Sequence, residues 1–94
     1  MVVLILERSR PSLRGELSRW MLEVKAGVFV GSLTTSVRER LWDLTCQELK
    51  GGAAATLIFP ARNEQGFLVR FWGDPSRSVI DFEGLYLVQY RSAG

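Results

Sequence analysis

The hydrophobic positions of this chain change period several times, and each change marks an element. Residues 2–6 are a continuous apolar run, VVLIL, rich in β-branched side chains. Such a run predicts a central strand buried on both faces. Glu7 ends it, Arg8, Ser9 and Arg10 form a polar turn, and Pro11 suits the first turn of a helix. Leu13, Leu17, Trp20, Met21 and Val24 then fall at helical spacing, which predicts one amphipathic stripe. Near Glu23 the period shortens to two. Val24, Ala26, Val28 and Val30 alternate with Glu23, Lys25, Gly27 and Phe29. This predicts a long bent strand or a strand pair, with Gly27 at the bend or bulge. The segment 11–33, where helix passes into strand, organises the rest of the chain.

Ser36, Val37, Arg38 and Glu39 match a capping box, and Val37, Leu41, Leu44 and Leu49 make the stripe of a second helix. Gly51 and Gly52 stop that helix. Residues 53–59 read as an apolar strand closed by Pro60, and 63–66 as a turn. Residues 67–72 alternate and form a hairpin with the strand before them. Residues 73–84 read as a loop with turn signals, and 85–90 as a final strand.

Helices placed between strands imply crossovers. Two helices on one face of a mostly antiparallel sheet give an α+β two-layer sandwich, the ferredoxin-like βαββαβ arrangement, with a C-terminal strand extension. Residues 1–94 are expected to form one domain, with 85–94 as a partner-docking segment. Nothing in the chain is left to cover the second sheet face, so a homodimer packed sheet against sheet is expected.

Composition adds a partner class. Ten of the twelve basic residues are arginine, and residues 1–40 hold seven bases against four acids. Guanidinium forks match phosphate oxygens, so this half suits a phosphate backbone; a solvated helix face is the competing reading. The single cysteine, Cys46, excludes an intramolecular disulfide and fits a cytoplasmic protein. No apolar run is long enough to span a bilayer, so no membrane partner is expected, and Glu7 interrupts the N-terminal apolar run too early for a signal peptide. The chain has no histidine, no metal-type Cys/His spacing and no phosphate-binding glycine loop.

Five blocks, read together, carry a resemblance. They are V-V-L-I-L-E, then P-x-L-R-G-x-L-x-x-W-x-L-E-V-K-A-G-V-F-V-G, then V-R-E-R-L-W, G-F-x-x-x-x-x-G and D-F-E-G-L-x-L-V. Over nearly its whole length the chain resembles the small CRISPR-associated adaptation protein (CRISPR-associated protein family two), in its type I-E form. The L-R-G and E-V-K-A-G-V-F-V-G blocks are the specific part. The resemblance implies a ferredoxin-like homodimer that bridges two dimers of the CRISPR integrase during spacer acquisition. It clamps a duplex DNA protospacer, while the integrase performs strand transfer.

The resemblance implies nucleic-acid contacts at Arg14, Lys25, Arg38 and Arg77, and the position of Arg10 just before the first helix adds it to the set. A solvated charge is the alternative for each. Ser12, Glu16, Ser36 and Ser76 stand where relatives often carry a base, so the DNA footprint is expected to be weaker or differently placed. Leu85, Leu87, Val88 and Tyr90 are the candidates for integrase docking, by strand addition or side-chain contact.

Many members of the wider family are described as magnesium-dependent endonucleases, acting as an endoribonuclease or a DNase. An acid at the end of the first strand, one from each protomer, holds Mg2+ at the dimer axis. Glu7 stands there, as the candidate catalytic and metal residue, where Asp is usual. The non-catalytic adaptor is the favoured expectation and the endonuclease the alternative. An RNA-binding module of similar fold would stack bases on an aromatic strand motif that this chain lacks.

Overall fold

The computed structural model describes residues 1–73 in full and the backbone of 77–82 and 85–90. In chain order the elements are β1 (Val2–Glu7), α1 (Pro11–Leu17), β2 (Leu22–Lys25), β3 (Val28–Gly31), α2 (Thr35–Glu48), β4 (Ala54–Pro60), β5 (Phe67–Trp72), β6 (Arg77–Phe82) and β7 (Leu85–Tyr90). The fold is α+β. Five strands form one antiparallel sheet in the order β2-β3-β1-β4-β5, and β6 and β7 pair with each other in a second sheet.

β1 sits at the centre, as its unbroken apolar run predicts. Its register fixes the two faces of the sheet. Leu4 stands opposite Phe29 on one side and Leu57 on the other, and Leu57 stands opposite Arg70. This row lies under the helices: Phe29, Leu4 and Leu57 are buried together with Leu13 and Leu17 of α1 and Leu41 and Trp42 of α2. Val3 belongs to the opposite face, in the row Leu22, Val30, Val3, Ile58, Val69.

The first helix is shorter than its stripe predicts. α1 has seven residues, and a turn carries the chain through Ser18 to Trp20 into β2. Leu13, Leu17 and Met21 are buried as the periodicity requires, but Trp20 and Val24 are about half exposed. The pairing of β2 with β3 takes residues 22–25 out of the helix, and Gly15 inside α1 weakens helical propensity further. The strand pair expected here is a tight hairpin. Gly27 turns it at φ +79°, and a register shift between Glu23 and Lys25 marks a bulge.

Two further boundaries differ from the sequence pattern. α2 starts earlier than the Ser36 capping box: Thr34 is the N-cap, and its hydroxyl accepts the Val37 amide at 3.2 Å. Residues 77–82, inside the expected loop, form β6, pairing with β7 from Arg77 opposite Tyr90 to Phe82 opposite Leu85. Val79, Ile80 and Phe82 give this segment strand propensity that the flanking turn residues obscured. No helix among the described residues is long and apolar enough to cross a membrane.

Candidate nucleic-acid and partner interface

Glu7 lies at the end of β1, paired through its backbone with Ala54, and its side chain is exposed. The next residue, Arg8, has φ +58°, the only positive φ at a non-glycine position among the described residues. Glycine normally takes this conformation, because a Cβ makes it strained. The sharp departure of the chain after Glu7 is therefore imposed by its surroundings. Among the described residues no three acidic, Cys or His groups cluster as a metal site would require. Magnesium keeps several waters and is held by one or two carboxylates together with substrate phosphates. Glu7 of a single copy would supply one such carboxylate.

The arginine of the L-R-G block is already engaged. Arg14 Nε and Nη2 lie 2.9 and 2.7 Å from Glu23 Oε2, which also accepts the Gly27 amide at 2.9 Å. That amide bond lowers the Glu23 pKa below the usual carboxylate range; partial burial opposes the shift, and Arg14 adds to it. Glu23 stands opposite Phe29 on the helix side of the sheet, which is why it reaches α1. Arg10 is the exposed N-cap of α1, and its carbonyl accepts the amides of Leu13 and Arg14. Lys25 is exposed at the end of β2, two residues beyond Glu23. Arg10, Arg14 and Lys25 thus belong to elements joined by one ion pair.

Arg38 belongs to a different cluster, at the start of α2. Its guanidinium lies over the Phe59 ring, 3.8 Å from the centroid, and its Nε donates to Glu39 Oε2 at 3.1 Å. Arg70 Nη1 donates to Glu39 Oε1 at 2.8 Å, and its guanidinium faces the Trp42 ring at 5.4 Å. Glu39 and Arg70 stand thirty-one positions apart, and no spacing or motif in the chain links them. Desolvation acts against the Glu39 charge, but the bonds from Arg70 and Arg38 outweigh it and hold the carboxyl below its usual range. Cys46 is half-buried, and desolvation pushes its thiol pKa up, which makes it a poor nucleophile. The side chains of Arg77, Leu85, Leu87, Val88 and Tyr90 lie outside the described residues.

The sheet face away from the helices is apolar and incompletely covered. Val3, Ile5, Val28, Val30 and Ile58 are half-buried there, and Leu22 is 67% exposed. A lone exposed aliphatic residue is ordinary, but here Leu22 continues a row of half-buried apolar side chains across four strands.

The family model described as CRISPR-associated protein (Cas_Cas2CT1978) matches residues 1–87. The chain belongs to this CRISPR-associated family. The match covers every element except the end of β7, including the L-R-G and E-V-K-A-G-V-F-V-G blocks that are the specific part of the resemblance.

Proposed function

We propose that this CRISPR-associated chain, in its type I-E form, is the non-catalytic adaptor of spacer acquisition. Two copies pack through the open sheet face, bridge the integrase dimers and hold duplex DNA by its phosphates. The observation that carries the reading is the apolar row Leu22, Val30, Val3 and Ile58 on that face. The order β2-β3-β1-β4, with helices in both crossovers, supports a ferredoxin-like arrangement with β5 to β7 as its extension. Such a sheet buries its second face against another sheet.

Capture of arbitrary invader DNA has to ignore sequence, and phosphate contacts do so. Arg10 and Lys25 are exposed and serve as the readiest contacts, with Arg14 beside them, and Arg38 and Arg77 complete the set. Leu85, Leu87, Val88 and Tyr90 are the proposed integrase contacts, and the cytoplasm is the proposed compartment. Sedimentation velocity of the purified chain tests the reading: a dimer is expected at micromolar concentration, and a monomer throughout overturns it.

The second reading is a magnesium-dependent endonuclease with Glu7 from each protomer at the dimer axis. The strained Arg8 backbone beside Glu7 favours it, since such strain concentrates at functional sites. Cleavage of DNA or RNA that is lost with a chelator and in Glu7→Ala would establish it. Cleavage that survives the substitution excludes Glu7 as the metal ligand.

A further inference from the structure

A cleft of about 440 Å³ opens between the start of α2 and the strands β4 and β5, lined by Arg38, Glu39, Phe59, Leu68, Val69 and Arg70. Two guanidiniums and one carboxylate leave it one net positive charge. Arg38 is held rigidly: its side chain is 16% exposed, its plane rests on Phe59, and only its Nε meets Glu39. Arg70 uses only Nη1 on the same carboxylate. The remaining N–H groups of both forks have no acceptor among the described residues. Phe59 and Leu68 supply apolar wall beside these donors.

We infer that this cleft binds a carboxylate flanked by apolar side chains, presented by a protein partner. A fork with spare donors, fixed in orientation by stacking, suits a monoanionic carboxylate that it can grip with two parallel bonds. The volume exceeds what a lone ion fills and leaves space for neighbouring apolar groups. A phosphodiester chain suits the cleft less well. It needs successive cations, and Glu39 sits between the two that are present. The site does not depend on the dimer or on the docking role of β7; it takes Arg38 out of the proposed DNA contacts and leaves that role to Arg10, Arg14, Lys25 and Arg77.

The test is an NMR titration of the full chain, following the arginine Nε–Hε resonances. The probe is the pentapeptide acetyl-Ala-Leu-Asp-Phe-Ala-amide, with its Asn counterpart and thymidine monophosphate as comparisons. Saturable shifts at Arg38 and Arg70 are expected, with affinity at least tenfold lower for the Asn peptide. Arg70→Gln is expected to weaken the Asp peptide at least tenfold. Arg70→Lys keeps the charge but loses the fork, and is expected to weaken it severalfold. Glu39→Gln removes the competing carboxylate and is expected to tighten binding severalfold, a gain that a merely structural pair would not produce. Unmoved arginine resonances, equal binding of the Asn peptide, or weaker binding in Glu39→Gln overturn the inference. Tighter binding of the nucleotide than of the Asp peptide also overturns it and makes the cleft a nucleic-acid site.

Discussion

Glu23 gathers Arg14 and the Gly27 amide on a single oxygen, Oε2, with all three contacts between 2.7 and 2.9 Å. That atom joins helix α1 to the β2–β3 hairpin. Because the contacts hold the Glu23 pKa below its unfolded value, they contribute stability above the unfolded pKa, and it is lost as pH falls through the folded value. Unfolding midpoints measured from neutral to acid pH should therefore fall through the carboxylate range. In Glu23→Gln the part of the slope due to this residue should vanish, with a lower midpoint at neutral pH.

The same pair would restrain Arg14 in its proposed role as a DNA contact. Glu23→Gln leaves an amide oxygen to accept from Gly27 but removes the charge that neutralises Arg14. If Arg14 then takes a phosphate, duplex binding should tighten at low salt. The slope of log K against log salt should steepen by about 0.9, the increment for one further phosphate. Arg10→Ala and Lys25→Ala should each flatten that slope by about the same amount. Filter binding across a salt series reads all three.

Gly27 is fixed by geometry. Its carbonyl accepts the Leu6 amide at 2.7 Å, its φ is +79°, and an added Cβ would lie 2.6 Å from the Leu6 carbonyl oxygen. Gly27→Ala should cost at least about 1–2 kcal/mol from the left-handed backbone alone. Urea unfolding should show the loss as a lower midpoint with an unchanged m-value.

The cap of α2 rests on Thr34. Its hydroxyl meets one of the helix's unpaired first-turn amides, so Thr34→Ala should destabilise the chain by about 1 kcal/mol. Thr34→Ser should keep most of it. Removing the hydroxyl of Ser36, inside the helix, should cost less, and thermal unfolding of the three variants ranks them.

Val30 lies mid-row on the open face, opposite Val3 and Leu22. Val30→Glu places a charge there without entering the core. It should yield a folded monomer, with unchanged far-ultraviolet circular dichroism and a halved mass by light scattering.

Much of this arrangement is legible in the amino-acid order. The VVLIL run announces a central strand, although only Val2, Leu4 and Leu6 on its helix side are fully buried and Val3 and Ile5 on the other face are half-buried, and Gly51 and Gly52 mark the end of α2 through their positive φ. The length of α1 was hidden because Trp20 and Val24 continue a helical stripe although residue 22 already pairs with β3. Period alone cannot separate a helix from a helix followed by an edge strand when apolar residues stay exposed. The N-cap is not legible from composition, because Thr34, Thr35 and Ser36 are all competent caps and only backbone geometry chooses Thr34. Of the candidate site, the excess of bases over acids across residues 1–40 could be read directly. The partners of Arg14 and Arg38 depend on tertiary contacts: with Glu23 nine residues away, and with Phe59 across the sheet face.

In the proposed function, two copies of this chain form the non-catalytic bridge of an integrase–DNA assembly. Light scattering of the chain mixed with the CRISPR integrase and a short duplex tests it most directly, using wild type and Glu7→Ala in parallel. One complex containing two copies of this chain is expected with either version, with spacer acquisition retained in Glu7→Ala. A chain that stays outside the complex would contradict it, as would an intact Glu7→Ala complex that no longer acquires spacers.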